Sequence, residues 1–306
     1  MRETAQPFPV RIADVNARDP RPPADRRGTP TETPITTRSQ ECVMDPHLAR
    51  ITVYPIKSLD PGDVERVRVI ENGALAGDRE YAIRDGEGEY VNGKRERRTH
   101  RLRTSFDGNA VELREHGTDE SSRFDPETDR EELSIWLSEF FGYPVTLDRE
   151  PKGGFPDDTV LSGPTVVSTA TLETVAGWFD GIGAEGMRRR LRANLEIGGV
   201  PAFWEDRLYA DPGSVVAFAV GEAEFEGVNP CQRCVVPSRD PDTGEEYDGF
   251  RRRFVEKRRE TLPPWTATGR FDHYFRLMVN TRVPEESWGT SLEVGDEVRV
   301  TGEGPE

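Results

Sequence analysis

The sequence predicts a mainly β fold with helical decorations, an α+β class. Three observations predict it. Apolar residues recur in short alternating runs, Gly and Asp punctuate them as turns, and few stretches carry helical spacing. Many short strands with a few helices point to a β-barrel core. At 306 residues the chain has room for one large or two modest domains.

Residues 1–45 are rich in Pro, Arg, Asp and Thr without periodicity and read as a disordered head. Met44 stands just before the first convincing strand, 48–55, and is read as a candidate true start. Val67 and Val69 alternate with Arg66 and Arg68, as in a half-buried strand. Strands over 80–84 and 89–91 flank the hairpin signal Asp85-Gly86-Glu87-Gly88. A further strand is expected over 110–113, then a polar loop over about 115–129. Leu133, Trp136, Leu137 and Phe140 fall on one helical face over 130–141, which Gly142 ends. The 152–156 stretch reads as an interdomain connection. Beyond it come a strand at 165–167 and a helix over 171–179, capped by Ser168 or Thr169. Strands at 195–197, 214–220 and 222–226 follow, then a basic helix over 248–259 and strands at 275–279 and 297–300.

The formal net charge is -16, so a nucleic-acid partner is not expected. Lys57, Lys94, Lys152 and Lys257 are the sole lysines, and arginine carries the rest of the basic charge. An acidic, lysine-poor surface points to a halophile's cytoplasm, where salt screens crowded carboxylates. No apolar run of the length needed to span a membrane occurs, and no signal peptide is read at the N-terminus.

Cys42, Cys231 and Cys234 are an odd number, which argues for reduced thiols rather than a disulfide framework. The Cys231-Gln232-Arg233-Cys234 segment has four competing readings. Half of a structural zinc site would need two more ligands, yet His47, His100, His116 and His273 form no spaced pair. A thioredoxin-like redox pair would open a helix, yet Val235-Val236-Pro237 follows. The other two are a pair of buried apolar thiols and a single thiolate on a soft metal, its charge supported by Arg233.

The run Arg188-Arg189-Arg190-Leu191-Arg192-Ala193-Asn194 is the second feature. A solvated charged face is the ordinary meaning of such a run. If it enters a strand, alternation puts Arg190, Arg192 and Asn194 on one side as an anion clamp. Lys57-Ser58 and Gly77-Asp78-Arg79 add anion contacts at strand ends.

Taken together, these segments resemble the MOSC-domain proteins with an N-terminal MOSC β-barrel domain, the group of the mitochondrial amidoxime-reducing component and its bacterial relatives. Tyr54-Pro55-Ile56-Lys57-Ser58, Gly77-Asp78-Arg79, Ser162-Gly163-Pro164, Arg190-Leu191-Arg192-Ala193-Asn194 and Phe203-Trp204-Glu205-Asp206 carry the resemblance. So do Cys231-Gln232-Arg233-Cys234 with Asp240-Pro241-Asp242-Thr243-Gly244, and Val294-Gly295-Asp296. The resemblance implies an N-terminal MOSC β-barrel domain over 46–150 and a MOSC β-barrel domain over 151–306.

It further implies a molybdenum cofactor, molybdopterin with Mo, ligated by Cys234 as metal ligand and catalytic residue. Lys57, Ser58, Arg79, Ser162, Gly163, Arg190, Arg192, Asn194, Arg233 and Tyr274 match positions that hold it, although the family typically has a hydroxyl residue where Gly163 stands. The resemblance also implies pyridoxal phosphate binding. The implied activity is a cytoplasmic oxidoreductase that abstracts oxygen from a small N-hydroxylated substrate. Its electrons come from a separate ferredoxin- or cytochrome-like protein, since no ferredoxin-like domain follows within the sequence. The alternative is a carrier of the cofactor or of sulfane sulfur, without turnover. Asp240 and Asp242 are candidates for proton relay, but Asp-Pro-Asp-Thr-Gly is foremost a turn signal.

Overall fold

The first strand decides where everything else packs. In the computed structural model, which describes residues 44–158 and 160–306, β1 (His47–Val53) buries Leu48 and Ile51 completely. The reading of 1–45 as a head, with Cys42, lies outside the described residues but for its last two positions. The next strands are β2 (Gly62–Val64), β3 (Arg66–Arg68), β4 (Tyr81–Asp85), β5 (Leu102–Asp107), β6 (Ala110–Glu115) and β7 (Ser121–Phe124). Helix α1 (Arg130–Phe141) and β8 (Val145–Arg149) follow. Then come β9 (Val166–Ser168), α2 (Thr169–Ala176), α3 (Ala184–Leu191), β10 (Leu195–Gly198), β11 (Ser214–Val220) and β12 (Ala223–Gln232). Helix α4 (Phe250–Glu260), β13 (Arg276–Arg282), β14 (Ser291–Glu293) and β15 (Val298–Pro305) complete the fold.

The fold is mainly β, as expected. Eight strands form one sheet in the order β15-β11-β12-β13-β9-β10-β1-β2, antiparallel except where β10 runs parallel to β9. The sheet curls. Leu48 N–H donates to the Asp296 carbonyl and Val298 N–H to the Pro46 carbonyl, both at 2.8 Å, so the chain entering β15 returns to β1. Leu48, Ile51, Leu195, Ile197, Phe218 and Phe225 pack together in this sheet's core. Strands from both sides of the expected 150/151 boundary share the sheet, and β3 pairs with β14.

Two smaller cores flank it. Helix α1 buries Leu133, Leu137 and Phe141, with Trp136 and Phe140 packed at the margin. Its apolar face is therefore turned slightly from the expected one. Gly142 ends it with φ 74°, as a left-handed cap requires. Helices α2, α3 and α4 build the other core, where Phe179 stacks on Phe250 at 4.2 Å. Ser168 caps α2 by accepting from Thr171 N–H at 3.2 Å.

Three expectations need correction. The run 89–91 is not a strand; it pairs with β4 only as the isolated bridge Arg84↔Tyr90. The polar stretch 115–129 contains a strand, β7, whose Val111↔Phe124 pairing gives it a half-buried face. The arginine run does not enter a strand: Arg188 to Leu191 form the last turn of α3, where cations favourably meet the helix dipole.

Beneath α4 lies an ion pair fully out of solvent. Arg258 Nη2 donates to Asp206 Oδ1 at 2.7 Å, and Thr266 Oγ1 donates to Asp206 Oδ2 at 2.7 Å. Next to it, Glu205 is fully buried with Oε1 unpartnered, while Thr171 Oγ1 donates to Oε2 at 3.0 Å. Burial, reinforced by the Asp206 charge, pushes the Glu205 carboxyl up to about 7. The unfolded chain ionises this group near its ordinary value of 4.5, so raising the pH from 5 to 7 stabilises the unfolded form first. Wild type should lose about 2 kcal/mol across that window from this group alone. Glu205→Gln should flatten the loss in urea titrations at pH 5, 6, 7 and 8; parallel curves would exclude the assignment.

Candidate functional site

One cavity of about 190 Å³ lies where the β1–β2 connection, the 74–79 turn, the end of α3 and the end of β12 converge. It is lined by Cys234, Lys57, Ser58, Arg79, Ser162, Gly163, Arg190, Arg192, Asn194 and Arg233. Tyr274 is not among its lining residues; it stands against Phe271 and under the Arg259 guanidinium, 4.9 Å from its ring centroid. Lys57, Lys94, Arg79, Arg189, Arg190, Arg192, Arg233 and Arg239 face only four lining carboxylates, Asp60, Asp78, Asp157 and Asp158. Eight cations over four carboxylates, in a chain of charge -16, mark a wall suited to an anion.

The backbone is strained at the same place. Ser58, Arg79, Arg192 and Met278 line the cavity and adopt positive φ of 75°, 52°, 60° and 72°. Among the described residues just two other non-glycine positions do so, Asn72 and Phe203. Each such conformation costs on the order of 1 kcal/mol and clusters where function demands it. Nothing in the residue types announces it.

The two arginines expected to work as a pair do different jobs. Arg192 is the left-handed cap of α3; its guanidinium lies 4.0 Å from the Tyr54 ring centroid and donates to the Leu59 carbonyl at 2.8 Å. It has no carboxylate partner among the described residues. Burial lowers its basicity, as expected for a desolvated cation. Burial also pushes the Tyr54 phenol up to about 12, which keeps it protonated to donate to the Ala193 carbonyl at 3.2 Å. Arg190 instead ties down the loop after Cys234: it donates to the Pro237 carbonyl at 3.3 Å and to the Arg239 carbonyl, and pairs with Asp240 at 3.3 Å. Asn194 Nδ2 donates to the Thr52 carbonyl at 3.1 Å, pinning β10 to β1.

Cys231 and Cys234 are both free and partly buried, and both line the cavity. Strand β12 ends at Gln232, so Cys234 sits in the loop beyond it. Arg233 does not reach Cys234 as expected. Its Nη1 donates to Cys231 Sγ at 3.1 Å and its Nη2 to the Leu191 carbonyl at 2.8 Å. Among the described residues no three His, Cys, Asp or Glu side chains are grouped to hold a metal ion. A metal at Cys234 would therefore take its other ligands from a bound group. Asp240 and Asp242 are committed elsewhere: Asp240 Oδ1 accepts from Asp242 and Thr243 N–H at 3.0 Å, and Asp242 pairs with Arg103 and Arg189 at 2.8 Å. Turn chemistry holds the Asp240 carboxylate, and two arginines hold that of Asp242.

The 152–156 stretch, read as a connection, supplies cavity wall. Gly154 has φ 64°, and a Cβ there would meet the Asp78 carbonyl at 2.7 Å. That close approach lets Phe155 N–H donate to the Arg79 carbonyl at 2.8 Å. Lys57 Nζ then donates to the Phe155 carbonyl and to Asp157 Oδ1, each at 2.8 Å. Sequence reasoning missed Asp157, Lys94, Arg239 and His100 as lining residues. His100 was read as one of four scattered histidines; burial lowers its imidazole, and Nε2 meets the Gly93 carbonyl at 3.2 Å.

The structure is a curled, mainly β scaffold around a cavity lined by two cysteines and by more cations than carboxylates. Two family models give that scaffold its family: residues 46–146 match the MOSC N-terminal beta barrel domain and residues 164–299 the MOSC domain. The chain belongs to the MOSC-domain proteins with that N-terminal domain. No curated protein matches it.

Gly163, where the family resemblance implied a hydroxyl residue, has a local cause. A Cβ there would meet Thr281 Oγ1 at 2.5 Å and the Thr281 carbonyl at 2.6 Å, and Thr281 is fully buried, donating to the Pro164 carbonyl at 2.7 Å. Gly163→Ala should cost about 1–3 kcal/mol in chemical denaturation. A stability equal to wild type would mean the Pro164 turn moves freely.

Proposed function

We propose that the chain binds a molybdenum cofactor through the Cys234 thiolate and acts as an oxidoreductase on N-hydroxylated compounds. The observation that carries this is a cysteine, Cys234, whose sulfur makes no hydrogen bond among the described residues and stands beside a wall of cations, while Cys231 is engaged by Arg233. The donor set fits such a group on three counts. Cys234 offers one thiolate to a metal that prefers sulfur. The described residues place no competing three-ligand cluster. Arg190 and Arg233 keep buried, unpartnered Nε atoms, and Arg192 lacks a carboxylate, so charge and donors remain for a phosphate-bearing ligand. The curled sheet is read here as the family's barrel.

When bound, the cofactor supplies two-electron oxygen-atom abstraction from an amidoxime or hydroxylamine. Cys234 holds the metal. Lys57, Arg79 and Arg192 bind and orient the anionic end, and Arg233 keeps Cys231 engaged beside the metal-bound thiolate. Electrons come from a separate ferredoxin- or cytochrome-like donor. A second reading, a carrier without turnover, draws on the commitment of Asp240 and Asp242 to arginines and a turn, which leaves neither carboxylate free to relay protons.

Protein from a molybdenum-competent host should carry about one molybdenum per chain by mass spectrometry. It should also reduce benzamidoxime with a chemical electron donor. Cys234→Ser should lose the metal with the fold intact by circular dichroism, and Cys231→Ser should keep most of it. Metal without turnover selects the carrier. Folded wild-type protein without molybdenum or pterin would rule out both readings, and equal loss from the two serine variants would indicate a dithiol site.

A further inference from the structure

Lys57 is the most deeply buried lysine in the described chain, at 7% exposure, and it lines the cavity. Its ammonium donates to Asp157, a carboxylate on a wall segment rather than on a strand or helix of the scaffold. The Asp157 side chain is 69% exposed while that of Lys57 is 9% exposed. The pair is thus lopsided: a fixed, desolvated cation and a carboxylate with room to leave. Partial desolvation at the cavity mouth would raise the largely exposed Asp157 carboxyl, but the Lys57 and Arg79 charges, with that of Lys94, more than offset it and hold it below the usual carboxylate range. The carboxylate meets one cation directly, Lys57 at 2.8 Å, with Arg79 and Lys94 lining the same cavity. Arg79 has a separate partner in Asp78, which also accepts from Tyr54 N–H at 2.8 Å and so belongs to the scaffold. Asp157 makes no hydrogen bond besides that from Lys57 among the described residues.

We propose that Asp157 is a built-in stand-in anion, occupying the Lys57 end of the cavity until a phosphate group displaces it. The inference rests on the cofactor reading above for its biological ligand, but inorganic phosphate tests it directly. A side chain that competes for its own site lowers apparent affinity by the fraction of molecules in which the site is occupied. The same contact protects Lys57 from being left as a buried, unpaired charge when nothing is bound. The device therefore trades affinity for stability of the empty protein.

Inorganic phosphate, titrated calorimetrically into the full chain at low ionic strength, is the probe. Asp157→Asn should bind phosphate about tenfold more tightly than wild type. Its melting temperature without phosphate should fall, and saturating phosphate should restore it. Lys57→Met should abolish binding at this site. In wild type, added phosphate should speed amide exchange at Asp157 and Asp158, a measurement that needs no variant. Equal phosphate affinity in wild type and Asp157→Asn overturns the proposal, as does a lost stability that phosphate fails to restore. Unchanged exchange in wild type, or unchanged binding in Lys57→Met, overturns it too. Molybdenum content separates the two ideas: no metal with the Asp157 effect intact removes the cofactor reading alone, and metal without the Asp157 effect removes this one alone.

Discussion

Keeping arginine charge alive inside a protein is the constraint on which the cavity depends. A guanidinium taken out of water needs partners for its donors, and a carboxylate is the cheapest one. A carboxylate also cancels the charge. The chain solves this differently in two places. Arg258, which does not line the cavity, is answered by Asp206, and the pair carries no net charge. Around the cavity, backbone carbonyls do most of the work: Leu59 for Arg192, Leu191 for Arg233 and Gly93 for Arg239. Carbonyl dipoles satisfy N–H groups without neutralising them, so the wall stays positive. Arg79 and Arg190 are intermediate cases, each with one aspartate, and Arg189 is the exception, paired with Asp242 and Asp60.

This arrangement explains the backbone strain. A carbonyl can serve a guanidinium only if the chain turns it inward, and tight reversals beside helix and strand ends accomplish that. Arg192 in a left-handed cap points its side chain back across Tyr54 rather than out along the α3 surface. Arg79, also left-handed, stays hydrogen-bonded through its N–H to the Tyr54 carbonyl at 2.8 Å. Both turns converge on Tyr54, which is 1% exposed and faces two guanidiniums, 4.0 and 5.2 Å from its ring centroid. Its ring stabilises cations without neutralising them, the same logic as the carbonyls.

Much of the frame was legible from local pattern. The α1 helix, its Gly142 stop and the Ser168 cap follow from spacing and capping chemistry that act within a few residues. A β-barrel core was expected as an architecture, but the contact that brings the sheet round was not legible, because it depends on the chain around Asp296 meeting Leu48, nearly the full described length away. The arginine run misled for a physical reason. Four arginines and a leucine fit a helix end as well as a strand start, and α3 won because Met187 and Leu191 bury one helical face. Most residues of the candidate site were legible as motif fragments, whereas Asp157 and His100 carry no local signal at all. Tyr274 differs the other way: an aromatic just before β13 that lies outside the cavity lining and faces Arg259.

The two cysteines show how position within one strand end separates equivalent residues. Cys231 lies within β12, packs against the α2–α4 core and receives Arg233 Nη1. Three residues on, the chain has left the sheet, and no hydrogen bond among the described residues holds the Cys234 sulfur. A donor placed on Cys231 cannot also be spent on Cys234. If Cys234 takes a metal, its sulfur lone pairs are free for that bond, while Cys231 has already given one to the guanidinium. The asymmetry that the proposed function requires is thus present before any ligand arrives, written by where β12 stops.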